Sequence, residues 1–430
     1  MTVDPWAGKF CCQIETLYGR VDLRSLVALG IDWARTCFTA YDGPSVSWSV
    51  AVGPDFDVRP LTESVIQGVE DGDLELTDEG FEHAAAHDFA RVTDSHDTRE
   101  GRSYDSSVVH VVLGARHVRV VYSHLFGDET VFYPKSRRLL LAACGLPPVD
   151  VPPLNDRRPL TGRRIVGAAA HVFVRRPTVA ARSMRRIVQE RTELSDSSVS
   201  SMRIADPESV FVLAVTVEKV RAAKIPSVLF YCSVLRDLQL PPTVVHHVVT
   251  DIRSYSDVLT GTGGNAVSHV PFVADFSTRT PDSVASSVSA RIRQAEPSVR
   301  AAAARVFGLR ESRSRVAPIV ASDRVPLVTT MSYYRLPPGQ QLYGDDGAPT
   351  RTIGFQNPDL GVLAFNARDC DGRAHFTVSH RGGLIDRDRL MAAMVVSAAR
   401  VGCRVSWSLP DVDAERRVVT IHENGAALGA

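Results

Sequence analysis

The chain has 430 residues, 44% hydrophobic and 23% charged, and its 49 basic and 49 acidic side chains cancel. That is the make-up of a soluble globular protein large enough for one two-lobed fold or two ordinary domains, and zero net charge excludes the basic excess of a nucleic-acid binder. No apolar run reaches the ~20 residues of a membrane span, and seven cysteines without a Cys-x-x-Cys pair read as reduced cytosolic thiols, not as a disulfide framework or a zinc site.

The first nine residues lack the apolar core of a signal peptide, so the expectation is a cytoplasmic protein. Residues 9–15 predict a first strand. Asp22 to Ala34 predicts a helix, with Leu23, Leu26, Val27 and Ile31 at helical spacing. Ser45 to Val52 alternates Val and Trp with Ser, a half-buried strand. Pro60 to Val69 predicts a helix. Asp71 to Gly101 is acidic and holds His83, His87 and His96; without regular elements to hold metal ligands, it reads as surface helix and loop. Val108 to Leu113 and Val118 to Tyr122 predict a hairpin across Gly114-Ala115, and Thr130 to Cys144 a helix.

The segment from Leu146 to Pro159 carries five prolines and marks a lobe boundary. The expected division is a first lobe over 1–145, a linker over 146–162 and a second lobe over 163–430. In the second lobe, Gly167 to Val174 predicts a strand and Val179 to Arg191 an Arg-rich helix. Val210 to Val220 is strand or helix. Pro242 to Arg253 is a β-branched run. Gly261 to Gly264 is a loop, since no lysine follows it to make a phosphate cradle. Residues 265–274 predict a strand. Thr280 caps a helix that begins at Pro281 and runs to Ala295, and Pro297 separates it from a helix over Val299 to Leu309. Pro326 to Tyr334 predicts a strand, Leu360 to Asn366 with His375 to His380 a hairpin, and Asp386 the cap of a final helix to Val401.

The stretch that carries chemistry is Val118-Arg-Val-Val-Tyr-Ser-His-Leu-Phe-Gly-Asp-Glu129. An apolar strand delivers His124 into a turn with Asp128 four residues on, which is how a general base is presented and oriented. The spacing alone is a weak signal among 13 histidines and 49 acidic residues, and it occurs again as His246-His247-Val-Val-Thr-Asp251. There the neighbours are β-branched, and alternation along a strand buries one of the two histidines. The motifs His-Glu-x-x-His and Gly-x-Ser-x-Gly are absent. Arginine pairs at 137–138, 157–158, 163–164, 175–176 and 185–186 read as solvated surface or as a docking face for an acidic partner or a phosphate.

The turn Tyr-Ser-His124-Leu-Phe-Gly-Asp128 resembles the His-His-x-x-x-Asp-Gly motif of the condensation-domain superfamily, which includes nonribosomal peptide condensation domains and polyketide-associated, CoA-dependent acyltransferases. Further landmarks agree in order: Val248-Val-Thr-Asp-Ile-Arg253, then Gly264-Asn265-Ala-Val, then Thr330-Met-Ser332-Tyr, then the closing hairpin and helix. This order also separates the two His-x-x-x-Asp copies, since the family's motif closes a hairpin in the first lobe. Ser123 stands where the family has its first histidine, and Glu129 where it has a glycine that keeps the turn free.

The resemblance implies an α/β (α+β) fold of two chloramphenicol-acetyltransferase-like lobes in a V-shaped pseudo-dimer, with the site in a tunnel between them. It implies an acyltransferase, of the condensation type, that joins an acyl thioester to a hydroxyl or amine, His124 being the general base and Asp128 holding the turn through an arginine, Arg253 or Arg279. Ser123, Gly127, Glu129, Asn265 and Ser332 are the implied substrate-binding residues. No metal and no permanent cofactor is implied; the donor is acyl-CoA or an acyl-phosphopantetheine carrier protein, the acceptor a small alcohol or amine, the protein a monomer. The alternatives left open are a catalytically silent module that docks a carrier protein, a cyclase or lyase on the same scaffold, and a hydrolase.

Overall fold

The computed structural model of the chain describes residues 10–16, 22–29, 45–78, 81, 107–124, 160–196, 201–203, 210–221, 225–260, 262, 266–306, 324–335, 352–356, 360–370, 373–381 and 383–409. It divides into two compact units, residues 1–159 with 261–265 and 334–357, and residues 160–260 with 266–333 and 358–430. The Pro-rich segment lies outside the described residues as far as residue 159. The described chain resumes at Leu160, and Thr161 already caps a helix, its side chain accepting from the Arg164 N–H.

The first unit is a sheet of β1 (Phe10–Thr16), β2 (Ser45–Val52), β3 (Asp57–Pro60), β4 (Val108–Leu113), β5 (His117–Ser123) and β12 (Thr352–Gln356), in the order β12-β1-β5-β4-β2-β3. The hairpin β4–β5 forms as the two apolar runs across Gly114-Ala115 predict. Gly114 opens the turn, donating to the His117 carbonyl at 2.8 Å. A Cβ there would stand 2.6 Å from the Thr77 carbonyl oxygen, so only glycine fits. One face of the sheet carries Cys11, Val50, Val111, Val118, Val120 and Tyr122, buried against Leu23 and Leu26 of α1 (residues 23–29) and Ile66 of α2 (Glu63–Glu70). The helix expected from Pro60 starts instead at Glu63, after the Thr62 cap. Pro60 ends β3, an edge strand, where a missing N–H is tolerated.

The second unit opens with α3 (Gly162–Arg175) and α4 (Pro177–Asp196). The strand expected over Gly167 to Val174 is therefore helix. Ile165, Ala168, Ala169 and Val172 recur at helical spacing and are the buried residues of α3, and that period shows only when the window is extended back to Gly162. A seven-stranded sheet runs β15-β7-β14-β13-β11-β8-β9. Its strands are β7 (Val210–Lys219), β8 (Val245–Asp251), β9 (Val267–Val273), β11 (Val328–Arg335), β13 (Val362–Cys370), β14 (Arg373–Arg381) and β15 (Cys403–Leu409). Two short strands, β6 (Ser201–Arg203) and β10 (Arg324–Pro326), pair separately. The apolar face packs on α5 (Ser227–Asp237), α6 (Pro281–Arg293) and α8 (Arg387–Arg400) around Phe230, Tyr231, Phe365, Phe376 and Met394. Thr280 and Asp386 cap α6 and α8 as their sequences predict, each accepting from backbone N–H groups of the first turn. Helix α7 (Glu296–Val306) begins one residue before Pro297, so the proline sits in its first turn, where its ring is compatible with helix.

A buried charge cluster ties the helices of this unit together. Glu296 is 1% exposed. It accepts from Arg291 Nε at 3.0 Å, Arg300 Nε at 2.8 Å and Arg186 Nη1 at 2.8 Å. Glu190 of α4 pairs with Arg291 at 2.8 Å and with Arg300, and Arg291 Nη1 donates to the Pro271 carbonyl of β9 at 2.6 Å. Burial pushes the Glu296 carboxyl up, but Arg291 and Arg300 outweigh it and hold it below the usual range. Removing one partner of a buried ionic group leaves the others unpaired in low dielectric. Glu296→Gln is expected to lower unfolding stability by about 3–5 kcal/mol in urea titrations, while Glu63→Gln, at an exposed surface pair, leaves the midpoint in place. Equal midpoints for the two variants would refute a supporting role for the cluster.

Candidate active site

Strand β5 lies between β1 and β4, with Phe10 opposite Ser123 and His110 opposite Val121. Held on both sides, it delivers two polar residues at its C-terminal end: Ser123, which is fully buried, and His124, which is 2% exposed and opens the following turn. Ser123 shares a sheet face with Val121 and with Arg119, itself 4% exposed. These two buried polar side chains directly follow five buried strand residues, Val118 to Tyr122. Asp128, Gly127, Glu129 and Asn265 lie outside the described residues.

The remaining predicted residues fall in the second unit. Ser332 is half-buried on β11, level with Val249 of the parallel strand β8. Arg253 is buried in the turn after β8 and turns back on its own strand. Its N–H donates to Asp251 Oδ1 at 2.9 Å, and its guanidinium meets the same oxygen at 3.2 Å. Arg279 is exposed just ahead of the α6 cap. Asp251, the acidic member of the second His-x-x-x-Asp copy, is thus engaged by Arg253.

The two histidines of that copy part as strand alternation requires. His246 is 1% exposed and bonds through Nδ1 to Thr329 Oγ1 at 2.8 Å, and Thr329 in turn meets the Tyr231 hydroxyl at 2.5 Å. His247 is half-buried on the other face, its ring 5.5 Å from that of His269. Burial depresses the His246 imidazole to about 3. The same cause, helped by His269, His246 and Arg300, takes His247 to about 3, and burial takes His380 to about 4.

Sequence reasoning missed the polar sides of the second sheet. Thr216, His375 and Arg368 sit level across β7, β14 and β13, all buried, with Thr216 Oγ1 and His375 Nδ1 2.9 Å apart. His269, Thr330 and Ser332 share with His247 the other face of β8, β9 and β11. The signal available was the period of two in each strand, which sorts such residues from the core once the strands are known.

The three depressed histidines are neutral in the folded state and protonate freely near their ordinary value of 6.5 when unfolded. The unfolded state therefore binds more protons below pH 6.5, and stability falls as pH drops from there toward 4, where Glu296 adds to the loss. Above pH 7 these groups contribute no slope. Urea midpoints measured from pH 8 to 4.5 are expected to stay level and then fall, with His246→Gln reducing the slope below 6.5. A midpoint that rises on acidification would contradict the assignment.

No protein-family model matches the sequence, and a search of curated proteins returned no match. Solved structures do match. A structure of the PapA2 acyl transferase is 14% identical over 92% of this chain and 86% of its own, with a TM-score of 0.50. A mutant starter condensation domain of rhizomide synthetase RzmA, in complex with C8-CoA, is 12% identical over 92% of this chain and 90% of its own, with a TM-score of 0.54. The same domain with C8-CoA and Leu-SNAC gives 12%, the same coverage and 0.52. The chain shares the fold of these acyl transferase and condensation-domain structures.

Proposed function

We propose that the chain transfers an acyl group from a thioester to a hydroxyl or amine. The observation that carries the reading is His124, set buried at the end of a central strand in a chain that matches acyl-transferring folds over 92% of its length. Neutral His124 takes the proton of the acceptor as its oxygen or nitrogen attacks the thioester carbonyl. The tetrahedral intermediate collapses with cleavage of the carbon–sulfur bond, and the imidazolium returns the proton to the departing thiolate. Both substrates are bound together, so proximity supplies much of the rate and no covalent enzyme intermediate forms. Asp128 orders the turn, backbone N–H groups near Gly127 meet the oxyanion, and Asn265 and Ser332 contact substrate. The neighbour crystallised with C8-CoA supports an acyl-CoA or acyl-phosphopantetheine donor and a place in nonribosomal peptide or polyketide chemistry.

A carrier-protein donor requires a basic docking face. Sequence alone grouped Arg185 with Arg186, and the structure separates them. Arg186 bonds to buried Glu296 at 2.8 Å, whereas Arg185 and Arg182 are exposed along the outer face of α4, near Val188, which is 60% exposed. We assign docking of the acidic carrier to Arg182 and Arg185. Arg182→Glu/Arg185→Glu is expected to raise KM for an acyl-carrier donor while leaving turnover of the matching acyl-CoA unchanged, and an unaltered KM would remove the assignment.

Thiol release from acyl-CoA and acyl-carrier donors, with and without pooled alcohols and amines, tests the reaction itself. Acceptor-dependent release is expected, with His124→Ala lowering it about 10²- to 10⁴-fold and His247→Ala sparing it. Release without any acceptor would point to hydrolysis. Carrier binding without release from any donor would point to a silent docking module, for which Ser123 and Glu129 are the sequence grounds.

A further inference from the structure

Three adjacent strands of the second unit place on one side a set of polar groups outside the core, of which the proposed transfer step uses Ser332 alone. By register, His247 of β8 stands between Thr330 of β11 and Pro271 of β9, and Val249 between Ser332 and His269. Thr330, Ser332, His247 and His269 are each half-buried, unlike Thr329, Met331, His246 and Phe272 on the opposite side, which are buried. The Nδ1 atom of His247 is enclosed and makes no hydrogen bond to the described residues. Thr330 and Ser332, the hydroxyl residues of this side, make no hydrogen bond to the described residues either. A strand histidine that served only packing would sit with its polar atoms satisfied, as His246 does through Thr329.

The charge around this face decides what it attracts. Behind β9, three guanidinium groups, Arg186, Arg291 and Arg300, face two carboxylates, Glu190 and Glu296, which leaves one positive charge in excess. The cluster reaches the face directly, because Arg291 holds the carbonyl of Pro271, the cross-strand partner of His247. Burial above all, then His269, His246 and the positive charge of Arg300, disfavours a proton on His247, and that positive charge also repels a metal cation. The acidic group on this side of β8 is Asp251, which Arg253 neutralises. The neutral His247 imidazole and two hydroxyls in a positive field, with His269 beside them, suit an oxyanion.

We propose that His247, His269, Thr330 and Ser332 form an anion-binding face that takes a carboxylate or phosphate group of a ligand. The assignment rests on this unit alone and does not require the acyl-transfer reading. Where both hold, the face selects a donor or acceptor that carries an acidic group.

Imidazole NMR of the full chain, labelled at histidine, tests it without reference to turnover. Inorganic phosphate and succinate are titrated at constant ionic strength, with chloride as the reference, and signals are assigned from His247→Gln and His269→Gln. Phosphate or succinate is expected to shift the His247 and His269 signals saturably, leaving His246, buried on the other face, as a reporter of intact fold. Ser332→Ala and Thr330→Val are each expected to raise the half-saturating concentration about 3- to 10-fold. Saturation by phosphate alone identifies a phosphoryl ligand, and by succinate alone a carboxylate. Shifts no different from those in chloride would overturn the proposal, as would saturation by zinc in place of either anion.

Discussion

A β-strand sends successive side chains to opposite faces, and both sheets of this protein are built on that constraint. Each buries one continuous apolar face under helices, through Tyr122 and Val120 in one unit and Phe376 and Val378 in the other. The intervening positions are thereby left free to be polar. Ser123 and Arg119 in the first unit, and Thr216, His375, His247 and Ser332 in the second, all occupy such positions. A residue inserted into any of these strands would exchange core for site along its whole length.

Polar residues inside a protein impose a desolvation cost, and the two units meet it differently. In the second, Glu296 is surrounded by arginines from three helices, and the excess positive charge reaches a strand through a single carbonyl. His246 is satisfied by one hydroxyl, which is itself bonded to the buried Tyr231. The imidazoles that remain neutral do so because a charge placed there would have no water and no counter-ion. Neutrality suits a proton acceptor and a hydrogen-bond donor alike. The electrostatic setting of a histidine therefore says less about its role than the direction its ring nitrogens face.

Much of this was legible in the sequence. The β4–β5 hairpin announced itself by two apolar runs either side of Gly114-Ala115, and the helix caps Thr280 and Asp386 by residue type. The placement of His124 at a strand end followed from the apolar run before it. What was illegible has physical reasons. Helix α5 is buried nearly all round, from Phe230 to Leu235, so it carries no amphipathic period to detect. The α3 segment holds β-branched residues that imitate a strand over a short window. The pairing of Arg186 with Glu296 spans 110 residues, and no local pattern reveals it. The same holds for the face shared by His247, His269 and Ser332, which exists only once three strands are in register.

Strand β12 lies more than three hundred residues downstream of β1, yet the two pair antiparallel, Cys12 opposite Phe355. During synthesis the first unit thus leaves the ribosome with a free edge at β1 and waits for the larger part of the second unit, up to β11, to emerge before that edge closes. Contacts of such sequence separation form slowly, and an unpaired edge strand is a template for pairing with other chains. Nascent-chain protection in the cell therefore matters most at the edge nearest the strand that carries His124.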